Sequence, residues 1–137
     1  MHHAKKKIIN RIKQTYCRLK RSKVHGIGIF AIKEIPKGID PFIAEARPKW
    51  IKINKKEFGK MHKENHKLLD DFFWFDKQGN GWVPECGISG MGVSFYSNHS
   101  KKPNIKRIDE DGNFITLRKI KKDEELLVDY DSYDEED

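Results

Sequence analysis

The sequence contains few cysteines, no long apolar run and no cluster of metal-ligating residues. Its two cysteines, Cys17 and Cys86, stand far apart, and no CxxC or Cys/His cluster accompanies them, so no metal site is predicted. Both thiols are expected to be reduced and partly buried. No apolar segment is long enough to span a bilayer, and the charged N-terminus lacks the apolar centre of a secretory signal. These absences predict an intracellular protein that does not enter a membrane.

Charge is abundant, but it is unevenly placed along the 137 residues, which suffice for one domain with a core. Hydrophobic and charged residues each make up 36% of the chain, and because aromatic residues are spread along it, wholesale disorder is not expected. The net charge is +7, with Glu34 the single acidic residue among the first 37 and no lysine or arginine from Asp123 onward. The basic end could contact phosphate and the acidic end a basic peptide, or both ends could simply be solvated.

The pattern along the chain predicts short strands, one helix and long irregular connections, which in a compact domain usually carry function. Residues 1–16 indicate a leader, either a strand or a frayed helix. A helix is predicted over 55–75, where apolar residues fall at helical spacing, with Asn54 and Glu57 as a capping box. Strand signals occupy the following segments: 24–39, with a turn at 36–38; 42–53, broken by Pro48; 105–108 and 114–120, as a hairpin; and 126–128.

Two glycines separated by one residue interrupt the first strand, in His25-Gly26-Ile27-Gly28. Glycine at such a place lets a backbone approach a ligand closely, although a plain β-bulge gives the same pattern. The segment is not a dinucleotide-binding fingerprint, because the third glycine and the following helix are missing.

A polar loop over residues 95–104 contains the pattern N-H-S-x-x-P-N, beginning at Asn98. Such side chains bond their own loop backbone and can present donors and acceptors to a polar ligand. His99 could serve as a general base or metal ligand, but the sequence places no acidic or second histidine partner near it.

The third motif is a charged turn that leads into an apolar strand ending at Asp129-Tyr130. By pattern alone, Tyr130 could be an ordinary aromatic residue that packs at the end of a strand.

These three motifs, in this order and spacing, resemble those of the SET-domain protein-lysine methyltransferases. The likeness covers about residues 17–133 and is closest to the minimal bacterial and viral members that lack flanking zinc domains. It implies a mainly β fold, the β-clip SET fold, with several small sheets of short strands, one helix in the central insert and a C-terminal pseudoknot. The pseudoknot would bring Asn98 and His99 next to Tyr130. The implied organisation is a basic leader at 1–16, a SET domain at 17–133 and an acidic tail at 134–137.

The resemblance also implies an activity: S-adenosylmethionine-dependent N-methylation of lysine in a basic protein such as a histone, without a metal. Tyr130 would be the catalytic residue. The cofactor would be bound by Gly26, Ile27, Gly28, Tyr96, Asn98 and His99. Candidate walls of the substrate channel are Tyr133, Trp82 and Phe42.

Departures from the family pattern keep a second function open. Phe42 falls in a stretch where a Tyr-x-Gly is usual, Phe95 stands where an arginine is common, and Lys101 replaces a cysteine of the family's zinc cluster. The alternative is a catalytically inactive SET-fold module that binds basic peptides or chromatin. Further expectations are a weak nucleic-acid contact through the basic N-terminus, a monomer or homodimer, and a nuclear, host-nuclear or otherwise cytoplasmic location.

Overall fold

The computed structural model describes residues 2–109 and 111–132. The chain forms two compact units: Met1–Ala46 together with Gly92–Asp137, called the main unit below, and Arg47–Met91, called the insert. No helix in the described ranges is both long and apolar enough to cross a membrane. In chain order the elements are α1 (His3–Gln14), β1 (Cys17–Arg21), β2 (Ile27–Ala31), β3 (Trp50–Asn54), α2 (Lys63–Phe72), β4 (Asn80–Pro84), β5 (Asn98–His99), β6 (Ile105–Arg107), β7 (Phe114–Thr116) and β8 (Glu125–Val128), with short 3-10 turns at Lys55–Phe58, Gly87–Gly90 and Val93–Tyr96.

The main unit is organised around a four-stranded sheet in the order β1-β2-β8-β5. The β1–β2 and β2–β8 pairs are antiparallel, whereas β5 and β8 are parallel, with Asn98 opposite Leu127. Strand β8, near the C-terminus, therefore lies between β2, from near the N-terminus, and β5, the two-residue strand of the polar loop. This order places the glycine segment, the polar loop and the C-terminal strand side by side.

The period-two pattern of β2 and β8 explains why these strands are central. Ile29 and Ala31 of β2 and Leu126 and Val128 of β8 point to the buried side, and residues between them are more exposed. Burying one such aliphatic side chain contributes about 1.5–3 kcal/mol. Their packing partners in the core are Cys17, Ile35, Phe42, Ile105, Phe114 and Ile120.

Asn104 fastens β8 to the polar loop. Its side-chain nitrogen donates to the carbonyl oxygen of Glu125 at 2.8 Å, and its side-chain oxygen accepts from the amide of Leu127 at 2.7 Å. The Asn104 amide also donates to the carbonyl of Leu127 at 3.0 Å. Asn104 is buried, so these bonds both satisfy its polar atoms and set the position of β8.

The predicted hairpin is confirmed as β6 and β7, which pair antiparallel from Ile105–Thr116 to Arg107–Phe114. The insert contains a second hairpin, β3–β4, in addition to α2. The expected mainly β fold of small sheets with a helix in the insert is thus confirmed. The predicted leader of 1–16 contains the additional helix α1, which has no buried residue. The predicted tail of 134–137 lies outside the described residues.

The prediction of one helix over 55–75 is wrong at both ends. The capping box of Asn54 and Glu57 exists, but it opens only the 3-10 turn Lys55–Phe58. Gly59 ends this turn with a φ of 62°, a left-handed conformation that breaks helical continuation. The true helix α2 begins after His62, whose Nδ1 accepts from the Glu64 amide at 3.1 Å.

The prediction of a strand pair over 42–53 holds only for its second half. A carboxylate oxygen of Asp40 accepts from the Phe42 amide at 2.9 Å, and the Glu45 amide donates to the Phe42 carbonyl at 2.9 Å. These bonds fold residues 40–45 into turns instead of a strand. Only Trp50–Asn54 is extended, and it pairs with β4 rather than with its own preceding segment.

Candidate functional site

The two glycines of the first motif have different surroundings. Gly26 has a φ of 48°, and a Cβ at this position would meet nothing within 4 Å, so the space beside it is open. Gly28 lies within β2, where a Cβ would overlap the carboxylate of Glu125 and lie 3.1 Å from the side-chain nitrogen of Asn98. The glycine at 28 therefore makes room for a side chain of β8, while the glycine at 26 provides the turn.

Glu125 is the residue that joins the three motifs. The Ser22 hydroxyl donates to its two carboxylate oxygens at 2.7 and 2.9 Å, and the Asn98 side chain donates to Oε2 at 2.9 Å. Ser22 in turn accepts from the amide of Val24 at 2.9 Å, within the turn that leads to the glycines. The sequence reasoning missed this role, although Glu125 belongs to the third motif, where the charged turn meets the strand that ends at Asp129-Tyr130.

Asn98 grips the backbone of the glycine turn. Its side-chain nitrogen donates to the carbonyl oxygens of His25 at 2.9 Å and Ile27 at 3.3 Å, besides its bond to Glu125. The residue is only 6% exposed. Its amide oxygen Oδ1 makes no hydrogen bond with the part of the chain that the structure describes, and it is the acceptor that remains at this junction.

Tyr130 follows β8 and is packed beside the polar loop, as the pseudoknot expectation requires. Its amide donates to His99 Nδ1 at 3.0 Å, and the two rings are 5.1 Å apart. The Tyr130 hydroxyl donates to the carbonyl oxygen of Ser97 at 2.5 Å. Burial raises the pKa of this hydroxyl, although the residue is 47% exposed, so it is protonated at neutral pH.

The expectation that His99 has no acidic neighbour is wrong. His99 Nδ1 lies 3.7 Å from Asp129 Oδ1, and Asp131 completes a group whose atoms lie within 4.8 Å of one another. Because Nδ1 already accepts the Tyr130 amide, it does not donate to Asp129. Lys101 bonds Asp131, lowering the pKa of that carboxyl, and lies 3.6 Å from Asp129. The positive charge of Lys101 therefore already offsets part of the negative charge of the Asp129 and Asp131 carboxylates.

The remaining predicted site residues have diverse environments. Tyr96 is partly buried against the core, edge-on to Phe95 with the ring centroids 6.0 Å apart. Phe42 is buried, edge-on to Phe114 at 5.5 Å, and borders a cavity of about 250 Å³ in the main unit. Trp82 is exposed on β4 of the insert, and Tyr133 lies outside the described residues. Their assigned roles stay predictions.

Cys17 is another residue that lines the cavity beside Phe42, and its thiol is buried. Cys17 Sγ donates to the Pro41 carbonyl at 3.7 Å, and burial raises the pKa of the thiol to about 12, with Glu45 and Asp40 adding to the rise. Glu45 accepts from the Ser94 amide at 3.2 Å, close against Gly92. Cys86 is exposed rather than partly buried, and both cysteines are free, as expected.

Comparison with known proteins identifies the class to which this fold and junction belong. The family model of the SET domain matches residues 26–131, a range that contains the glycine segment, the polar loop and Tyr130. The chain belongs to the SET-domain family, as the motif resemblance implied.

A curated relative is the Drosophila melanogaster histone-lysine N-methyltransferase trr, which is 29% identical over 146 residues. The match takes in 98% of this chain but only 6% of the Drosophila protein. Two solved structures share the fold: a candidate histone methyltransferase of Plasmodium falciparum (TM-score 0.52, 19% identity, 85% of this chain and 93% of that one) and the methyltransferase domain of human PR domain-containing protein 2 (0.51, 20%, 82% and 75%).

Proposed function

We propose that this chain is an S-adenosylmethionine-dependent protein-lysine N-methyltransferase that acts on a basic protein such as a histone. The observation that carries the proposal is the junction at β8, where the Gly26–Gly28 backbone, Asn98 and Tyr130 meet through Glu125 and His99. The SET-domain match over these residues and the histone-directed relative support it. The proposed location is the nucleus or a host nucleus for a histone substrate, and otherwise the cytoplasm.

The chemistry of the donor set at this junction fits the methionine end of S-adenosylmethionine. Since the Asn98 nitrogen is already engaged, its oxygen Oδ1 is the group that would accept from the cofactor's amino group. Gly26 leaves open space at the turn, and Ile27 and Gly28 would contribute backbone groups, with His99 and Tyr96 on the side of the polar loop. The bound cofactor supplies a methyl group on a positively charged sulfur.

The substrate lysine must lose its proton before it can act as a nucleophile, since its pKa in water is about 10.4. Burial of the amine disfavours the ammonium form. The Tyr130 hydroxyl donates its proton to the Ser97 carbonyl, and because a phenolic oxygen is also an acceptor, it would accept an N–H of the neutral amine. Tyr130 would thereby orient the nitrogen, and orientation is the larger part of such catalysis. Phe42, Trp82 and Tyr133 are the proposed channel walls.

One structural observation favours a second, accessory function in nucleic-acid binding. Helix α1 contains Lys5, Lys6, Lys7, Arg11 and Lys13 and no acidic residue, and none of its side chains is buried. A solvated cationic helix of this kind can neutralise phosphates without reading sequence. A weak contact through α1 could hold the enzyme near a chromatin substrate, with the chain acting as a monomer or homodimer.

The test combines a binding and a turnover measurement on the full chain. Calorimetry should detect S-adenosylmethionine binding in the presence of a chelator, and mass spectrometry should find added 14-Da increments on lysines of histones incubated with enzyme and cofactor, the mass of one CH₂ group. Failure to bind cofactor would contradict the proposal outright. Binding of cofactor and of histone peptide without methylation of histones or of a whole-cell lysate would establish the inactive-module alternative instead.

A further inference from the structure

One face of the β3–β4 hairpin presents two tryptophan rings and a lysine that is a neighbour of both. Trp50 and Lys52 point to the same side of β3 because side chains alternate along a strand, and Lys52 lies directly opposite Trp82 of β4. Trp50 and Trp82 are therefore diagonal neighbours on that side, at a separation that lets large side chains act together. The set is called the Trp50–Lys52–Trp82 face below.

The two tryptophan side chains on this face are more exposed to solvent than tryptophan usually is in folded proteins. Trp50 is 40% exposed and Trp82 is 57% exposed, whereas tryptophan is on average one of the more buried residues. The third tryptophan of the chain, Trp74, is also in the insert and is 78% exposed. Single exposed apolar residues need no explanation, but paired rings on one sheet face indicate a surface that takes a partner.

The charges around the two rings restrict the partner's chemistry. Residues 47–56 contain several cations, including Lys49, Lys52 and Lys56, and no acidic residue, so they outnumber the single carboxylate of Glu85, which follows β4 beside Lys49. A lysine-rich peptide would place its charges against Lys52, and a second copy related by a two-fold axis would bring two such faces together with like charges opposed. Once these two partners are set aside, the partner that fits this face offers both flat π surfaces and negative charge.

We propose that the Trp50–Lys52–Trp82 face binds single-stranded nucleic acid, with bases stacked on the two indoles and the intervening phosphate on Lys52. Aromatic side chains on a sheet surface with neighbouring cations are the usual platform for unpaired bases. A duplex hides its base faces within its own stack and exposes only its backbone and the edges of its bases, which two indole rings cannot stack on. The contact is separate from the phosphate contact suggested for α1, and of its three side chains only Trp82 is also a proposed wall of the substrate channel.

The experiment measures fluorescence anisotropy of a labelled 12-nucleotide oligo(dT) and of a duplex of equal length with the full chain at low and moderate salt. Trp50→Leu should weaken oligo(dT) binding by about tenfold or more, since one base stack contributes about 1–3 kcal/mol. Lys52→Glu should weaken it and flatten its salt dependence. Tryptophan fluorescence of the parent chain should fall as the oligonucleotide binds, and melting curves verify that both variants fold.

Two matched variants separate this face from other surfaces. Lys122→Glu makes the same charge change at an exposed lysine outside α1 and outside the hairpin, and Trp74→Leu makes the same aromatic change outside both strands; each should retain most oligo(dT) affinity. The proposal is overturned if Trp50→Leu binds as the parent does, if Lys122→Glu or Trp74→Leu loses as much affinity as the face variants, or if duplex binds as tightly as oligo(dT). Histone methylation is assayed separately, so that failure of the proposed enzyme activity is not read as failure of this face.

Discussion

The carboxylate of Glu125 lies directly over Gly28, in the space where any side chain at residue 28 would begin. This relationship joins the first and last motifs of the chain, because Ser22 and Asn98 donate to the same carboxylate. The absence of a side chain at 28 is therefore a packing requirement of β8. The Glu125 carboxylate also accepts from Asn98 and so helps to hold Asn98 against the glycine turn.

Substituting Gly28 by alanine should destabilise the protein through this contact. The added methyl group must displace the Glu125 carboxylate, and overpacking of this kind costs about 1–3 kcal/mol. Removing the carboxylate should relieve part of the clash, so Gly28→Ala should cost less in a Glu125→Ala background than in the parent. The measurement is the free energy of unfolding in urea for the four proteins of this double-mutant cycle.

Gly26→Ala is the control for that cycle. Nothing lies within 4 Å of its added Cβ, so its cost should come only from the left-handed φ and should be the same with or without Glu125. Equal losses for Gly28→Ala in both backgrounds would show that Glu125 does not occupy this space in solution.

Glu125→Gln should raise the KM for S-adenosylmethionine more than it lowers kcat. The amide keeps one acceptor for Ser22 but loses the charge that strengthens the bond from Asn98, so the Asn98 side chain is held less firmly. Steady-state kinetics with varied cofactor measure the two parameters.

The neighbouring residue offers a matched comparison for this variant. Glu124 is paired with Arg118 through two hydrogen bonds, which lower the pKa of its carboxyl, and it does not contact Asn98. Glu124→Gln should leave the cofactor KM near that of the parent. A Glu125→Gln enzyme whose KM matches the parent's while kcat falls would contradict a positioning role for Glu125.

The two cysteines should differ sharply in reactivity. Because burial raises the pKa of Cys17 to about 12, almost none of its thiol is ionised at pH 8, and access is blocked as well. Iodoacetamide on the native protein should label the exposed Cys86 once, and a second label should appear only in denaturant. Peptide mapping by mass spectrometry identifies the labelled residue, and Cys86→Ser should be unreactive when folded. Rapid labelling of Cys17 in native Cys86→Ser would contradict the buried position of Cys17 in β1.

Sequence reasoning anticipated the parts of this molecule that depend on local pattern. The hairpin β6–β7 followed from turn residues between apolar runs, and β8 from the apolar run before Tyr130. The closeness of Asn98 and Tyr130 came from resemblance, since no periodicity predicts that β8 inserts between β2 and β5.

What sequence reasoning missed depends on contacts between distant residues or on a single backbone conformation. Glu125 touches Ser22 across 103 positions, a relationship that no local window contains. Asp129 and Asp131, the acidic neighbours of His99, follow β8 and are distant from His99 in sequence, so no local pattern places them beside it. Gly59 stops the first helical turn through its positive φ, although the surrounding residues have helical spacing.

Tyr130→Phe tests whether this residue acts in catalysis or only in packing. The change removes the hydroxyl that donates to Ser97 and keeps the ring beside His99, so the melting temperature should change little. If the hydroxyl oxygen orients the amine, the single-turnover rate of peptide methylation should fall by about 10²-fold, as for one lost preorganised group. Cofactor affinity should change much less, because the proposed cofactor contacts belong to Asn98 and the glycine backbone.

The pH profile and a matched variant decide between the two readings of Tyr130. Burial raises the pKa of the Tyr130 hydroxyl above its ordinary 10.0, so the parent profile should show no loss of the Tyr130 proton below that pH, and deprotonation of the substrate amine should make the rate rise with pH. Tyr16→Phe removes a hydroxyl from a tyrosine that has no assigned part in the reaction, and it should methylate at the parent rate. A folded, cofactor-binding Tyr130→Phe protein with the parent rate would refute the catalytic assignment, since the ring alone would then suffice.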